Sequence, residues 1–179
     1  MLSALTPTVP ESSQIQVRSL DNRYCSDIIS LVLPIQQDEF QVAVTLEDQP
    51  DLLDIETAYI SPGGNFWGAF DGDNLVGTIA LLRTGEHIAA LRKMFVRQTY
   101  RGKTHGVAAT LLKTLKDYCC TKGISDLYLG TAPQLKAAQR FYKQNGFVEI
   151  AVENLPREFP RMPPDKIFYF ADLKKNDQS

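Results

Sequence analysis

The chain has 179 residues, 44% of them hydrophobic and 22% charged, which suits one soluble domain with a single sizeable core. A net charge of −2 supplies no basic field for nucleic acid, and no apolar run approaches the roughly 18 residues that a membrane span needs. Three cysteines (Cys25, Cys119, Cys120) and two isolated histidines match no metal-ligand spacing, so free thiols, no structural metal and a cytoplasmic location are expected.

The opening "MLSALTPTVPESSQ" has neither a basic start nor a long apolar stretch, so 1–14 read as a flexible tail, not a signal peptide. "IQVRSL" alternates and predicts a strand. Asp21 or Asn22 can cap a helix that runs to about Phe40, with Ile28, Ile29, Leu31, Val32 and Ile35 as its apolar stripe and a kink or break at Pro34. "DQPDLLDIETAYI" carries a second short helix. "SPGG" turns the chain into the strand "NFWGAF", and "DGDN" is a hairpin turn into "LVGTIALL". After "TGE" comes "HIAALRKMFV", a strand of unusual length. Side chains alternate along a strand, so one of Arg92 and Lys93 faces the core side or a cleft. An Arg there suits a substrate carboxylate.

Beyond "RQTYRGKTHG" lies the clearest helix. Val107, Ala108, Leu111, Leu112, Leu115, Tyr118 and Cys119 keep a helical period, and Gly123 ends it. "DLYLGT" is a short buried strand. Pro133 opens another helix, with Leu135, Ala138, Phe141 and Tyr142 on one face and Asn145-Gly146 as its stop. "FVEIAV" is a strand, "NLPREFPRMPPD" a proline-rich loop and "KIFYFADL" a last strand before a charged tail at 174–179. The order β-α-α, three strands, then α-β-α-β-β predicts one α/β domain over 15–173, a mixed sheet with helices on its faces.

"YRGKTHG" admits two readings. A Walker A loop needs a Gly five residues before Gly102, where this chain has Arg97, so that reading fails. The other is a strand running through a basic, glycine-containing loop into a helix. The first amides of that helix have no internal partners and suit a pyrophosphate, with Arg101 and Lys103 at the rim. A plain strand-loop-helix corner fits the loop alone equally well. Two further stretches bear on the choice: "ALRKMFV" before the loop, and "RFYKQNGF", which sets a Tyr on a helix face four residues ahead of Gly-Phe.

Together these stretches resemble the GNAT superfamily of N-acetyltransferases, over roughly 75–152. The C-terminal "LPREFPRM" and "FYFADL" are similar to an uncharacterised bacterial subgroup and point to no substrate. The resemblance implies a single GNAT-like domain: a mixed, mostly antiparallel sheet of about seven strands with helices on both faces. It implies acetyl-CoA as cosubstrate. The pyrophosphate would be wrapped by the backbone of Arg101, Gly102, Lys103, Thr104, His105 and Gly106 with Val107 at the helix start, and the pantetheine arm would lie along Phe95 and Val96. Thr104 stands where the family usually has Gly; its N–H is retained and its hydroxyl can donate to phosphate. Leu135 stands where many members have an Asn.

The chemistry implied is direct attack of an amine on the thioester, with Tyr142 as general acid for the leaving thiolate and a backbone N–H near Phe95 for the oxyanion. On the helix pattern alone Tyr142 reads as a core aromatic. No base stands out: Asp38, Glu39, Glu86 and His87 each read as surface residues. The acceptor is a small-molecule or peptide amine, shaped by 33–59 and 154–165, and neither nucleic acid nor membrane is a partner. A homodimer is carried as one arrangement. The rival reading is a catalytically silent GNAT-fold module that binds CoA, favoured by Thr104 and Leu135.

Overall fold

The computed structural model describes residues 14–176, so the predicted N-terminal tail lies almost wholly outside the described residues. Among these residues, seven strands form one sheet: β1 (Ile15–Ser19), β2 (Asn65–Asp71), β3 (Asn74–Arg83), β4 (Ile88–Val96), β5 (Asp126–Thr131), β6 (Val148–Ile150) and β7 (Ile167–Asp172). Their order across the sheet is β1-β2-β3-β4-β5-β7-β6. Only the β4–β5 pairing among them is parallel. The fold expected from the family resemblance is the fold found.

Strand alternation divides the core. On β2, Phe66 and Phe70 face helix α1 (Cys25–Pro34) with Ile28, Leu31 and Val32. Trp67 and Ala69 face the opposite side, against helix α2 (Val107–Lys122) with Leu111, Leu112 and Leu115. Helix α3 (Lys136–Gln144) packs Tyr142 into that second layer. Gly77 on β3 lets α2 come close, since a Cβ there would stand 3.0 Å from Val107 Cγ1 and 3.1 Å from Leu111 Cδ1.

The first predicted helix changes pitch where expected. It is α-helical to Pro34 and then widens into a π-turn, Ile35–Glu39, closed by Phe40 N–H donating to Ile35 O at 3.1 Å. Pro34 has no N–H to give and its ring crowds the carbonyl four residues back, so the regular α-helical ladder ends there. The second predicted helix is two turns, Pro50–Leu53 and Glu56–Ile60. Asp54 separates them in an extended conformation and caps the second, its Oδ1 accepting from Thr57 N at 3.1 Å and from Asn22 Nδ2 at 2.9 Å. The charged tail begins as a helical turn, α4 (Leu173–Asn176). No described helix is long and apolar enough to cross a membrane.

Candidate active site

The site exists because two strands part. β4 and β5 pair only from Ile88–Ala90 against Asp126–Tyr128, although β4 runs on to Val96 and β5 to Thr131. Their C-terminal halves diverge and open a cleft in the sheet. Lys93 sits at the start of the gap in a left-handed conformation, φ 52°, and the β3–β4 register shifts between Thr78 and Ala80. This is a β-bulge, pinned by Thr78 Oγ1 donating to Lys93 O at 2.8 Å. Strict alternation would split Arg92 and Lys93 between two faces; the bulge re-aims the chain, and both line one cavity.

The bulge also sorts the backbone. Arg97 N–H donates to Val76 O at 2.8 Å. Bonded pairs alternate along an antiparallel ladder, so Phe95, opposite Thr78, turns its backbone toward β3, while Val96 turns away into the cleft. Met94, on the bulge, lies on the open side with it. A cleft-facing N–H near Phe95 is therefore that of Met94 or Val96, not that of Phe95 itself.

The glycine loop follows. Its two left-handed residues are Gly102, φ 100°, and Gly106, φ 62°, and a Cβ at either would meet open space. Thr104 is not among the residues with positive φ, so the missing family glycine falls where the backbone does not need one. The first helical bond of α2 is Thr110 N–H to Gly106 O at 3.0 Å, so the amides of Val107, Ala108 and Ala109 precede the ladder. Lys103, Thr104 and His105 are exposed. Arg101 is committed elsewhere: its guanidinium makes a bidentate pair with Glu39, donates from Nε to Val96 O at 2.8 Å, and lies over the Phe40 ring at 5.3 Å. It ties the loop to the end of the first helical region. A cavity of about 570 Å3 lies in front of this loop, lined by Phe95, Val96, Gly102, Gly106, Phe141 and Tyr142 among others. Because Thr104 has ordinary backbone angles, Thr104→Gly should not tighten CoA binding. Thr104→Val should weaken it by about 1 kcal/mol if the hydroxyl meets a phosphate; titration calorimetry with CoA measures both.

Tyr142 is 5% exposed and lines this cavity together with a second, smaller one of about 90 Å3. Its ring packs against Phe147 at 5.5 Å and Tyr169 at 6.0 Å. Burial pushes its phenol well above the ordinary range, with Asp165 and Tyr169 adding to the shift. Leu135 lines both cavities too and contributes apolar surface at their junction.

The second cavity lies under the proline-rich loop, with Arg92, Lys93 and Asp165 in its wall. Lys93 Nζ donates to Gln49 Oε1 at 2.5 Å, lies 3.6 Å from Asp51 Oδ2 and contacts Met162 Sδ at 3.7 Å. Gln49 and Gln36 exchange amide hydrogen bonds at 2.8 and 3.0 Å, and Tyr59 Oη donates to Asp51 Oδ2 at 2.6 Å. Burial brings the Lys93 amine down to about 8, against the pull of Asp51.

Sequence reasoning missed Gln36, Gln49, Asp51 and Asp165. One signal was available: Gln36 continues the Ile28–Val32 spacing, and a polar residue on a buried stripe demands a partner. Glu86 and His87 precede β4, at the end away from the cleft, and His87 Nδ1 meets Gly123 O at 2.9 Å. Asp38 is exposed and lines neither cavity, and Glu39 is occupied by Arg101.

Where β4 and β5 part, a glycine loop at a helix start and a buried tyrosine shared by two cavities leave room for two reactants to meet. Residues 29–147 match the model of the acetyltransferase (GNAT) family, and the chain belongs to that family. The structure superposes on a GNAT-family acetyltransferase from Staphylococcus aureus Mu50 with a TM-score of 0.86 and 38% identity, covering 89% of this chain and 99% of that one. The PaiA N-acetyltransferase of Thermoplasma acidophilum, solved in complex with coenzyme A, shares the fold with a TM-score of 0.69 and 19% identity, over 89% of this chain and 99% of that one. The protein named "Probable N-acetyltransferase 14" of Xenopus tropicalis is 31% identical over 121 residues, 66% of this chain and 58% of that protein. The chain spans about half the length of the vertebrate relatives it matches.

Proposed function

We propose that the protein transfers the acetyl group of acetyl-CoA to a primary amine of a small molecule or peptide. The observation that carries this reading is Tyr142, buried where two cavities beside the split between β4 and β5 share a wall. The larger one has the loop of Arg101, Gly102, Lys103, Thr104, His105 and Gly106 at its mouth, with Val107 opening the helix. Backbone amides there receive the pyrophosphate, and the macrodipole of α2 favours it. Lys103 supplies the mobile charge, since Arg101 is already paired with Glu39. The pantetheine arm runs beside Phe95 and Val96 and adds to the open edge of β4.

In the reaction the amine nitrogen attacks the thioester carbon, a C–N bond forms and the C–S bond breaks. The Met94 amide stabilises the oxyanion and the Tyr142 phenol protonates the departing thiolate; the proton given up by the nitrogen, to solvent or a neighbouring base, balances the one that solvent returns to Tyr142. Buried thiols at Cys25 and Cys119 support placing this chemistry in the reducing cytoplasm.

Thiol release from acetyl-CoA across an amine panel tests the reading, with the CoA-induced thermal shift as a second readout. Binding without release from any amine would favour the silent module instead. Gly106→Ala forces an L-residue into a left-handed angle at a cost of about 1–2 kcal/mol. It also sets a methyl group in the space before the helix amides. We expect a lower melting temperature and a smaller shift with CoA; an undiminished shift removes the loop from the cofactor site.

A further inference from the structure

The second cavity carries opposite charges that do not meet. Lys93 is satisfied by Gln49, Asp51 and Met162. Arg161 is exposed and lies over the Phe168 ring at 5.3 Å. Arg92 and Asp165 remain in the wall. Among the described residues no carboxylate stands within ion-pair distance of the Arg92 guanidinium. Asp165 ends a turn closed by its own N–H on Met162 O at 3.0 Å, and its Oδ2 accepts only a long bond, 3.4 Å, from Met162 N–H. Gly130 on β5 leaves the room it occupies: a Cβ there would stand 2.9 Å from Asp165 Oδ2.

We propose that the acceptor is a small free amino acid, bound as a zwitterion between Arg92 and Asp165, its carboxylate on the first and its amine at the second. The inference rests on the acetyl-transfer reading and names its substrate class. Two half-desolvated charges of opposite sign facing one space are best compensated by a molecule with the reverse layout. The amine end is assigned to Asp165, which stands against Gly130 of β5 and lines the same cavity as Tyr142. The arginine fork matches a carboxylate bidentately. Apolar walls from Val42, Leu91, Phe159 and Pro160 close in around a space of about 90 Å3. A space of that size favours a small acceptor over a long one. A polyamine would bring a second ammonium against Arg92 and Lys93. A peptide N-terminus would leave Arg92 unpaired.

The test compares alanine, β-alanine, alaninamide, ethylamine and spermidine by thiol release from acetyl-CoA and by thermal shift with CoA present. The carboxylate-bearing amines should exceed alaninamide in kcat/KM by about tenfold or more. Arg92→Gln should erase that preference chiefly through KM, Arg92→Lys should restore part of it, and the alanine-dependent thermal shift should vanish in the Gln variant. Asp165→Asn should depress turnover of every amine. Equal turnover of alanine and alaninamide, or preference for spermidine, overturns the amino-acid assignment and leaves acetyl transfer standing. A CoA shift with no thiol release from any amine and no alanine shift overturns both.

Discussion

Tyr142→Phe is expected to lower kcat by about 10²-fold or more, the usual scale for a general acid, with little change in KM for acetyl-CoA. The ring keeps its place against Phe147 and Tyr169, so the variant should fold and lose no more than about 1 kcal/mol. Only the hydroxyl between the two cavities is removed. A solvent-exposed phenol would titrate near 10 and give the wild type an alkaline limb that the variant lacks. Burial pushes this phenol well above that range, so it holds its proton throughout the working pH range and any alkaline limb should survive the substitution unchanged. Turnover equal to wild type with a good acceptor would return Tyr142 to the core as an ordinary aromatic and leave solvent as the proton source.

What could be read from the residues was local. The "DGDN" turn contains Gly72 at φ 60°, the long strand ends at Val96, and α2 starts at Val107 after Gly106, as period and punctuation require. Tyr142 fell on the buried face of α3 because a helical period fixes faces without knowledge of partners. What escaped was set by contacts across the chain. The bulge at Lys93 depends on Thr78 of the neighbouring strand, and a one-residue shift reverses every facing beyond it. Strict alternation could therefore not bring Arg92 and Lys93 to one cavity, nor separate Phe95 from the outward amides. Arg101 looked like a phosphate ligand beside the loop, yet Glu39, 62 residues away, holds it. Thr104 was legible as a departure from the family's usual Gly that keeps its N–H, but only the folded loop shows why the backbone tolerates it: the left-handed angles fall at Gly102 and Gly106. The wall of the second cavity joins residues from the π-turn, the bulge and the proline-rich loop, three segments with no shared motif.

The second large effect is expected at Lys93, and it appears in stability as a function of pH. Its side chain is 2% exposed, and burial brings the amine from 10.5 to about 8, with Asp51 opposing the shift and Arg92 reinforcing it. In the unfolded chain the amine titrates near 10.4. Between pH 8 and 10.4 the unfolded chain therefore holds a proton that the folded chain has released, and stability rises with pH. Below 8 both states are protonated and the cost of the buried charge is constant; above 10.4 both are neutral and it is gone. At about 1.4 kcal/mol per pH unit the gap amounts to about 3 kcal/mol. Cys119 works the other way. Burial raises its thiol to about 12, while the unfolded thiol ionises near 8.5, so its contribution to stability is lost as the pH climbs past that value. The wild-type curve alone mixes the two. Lys93→Met removes the amine, fills its space with a side chain of similar length and leaves Cys119 untouched. Urea unfolding of both proteins at intervals from pH 7 to 10.5 gives the difference, in which Cys119 cancels. Wild type minus variant should increase by about 3 kcal/mol across that range, most steeply between 8 and 10. The Met variant should look best at pH 7, where it avoids a buried charge, although Gln49 Oε1 and Asp51 lose a donor. A difference that stays flat would mean that the amine keeps its ordinary pKa and that the network of Gln36, Gln49 and Asp51 solvates the charge as well as water does.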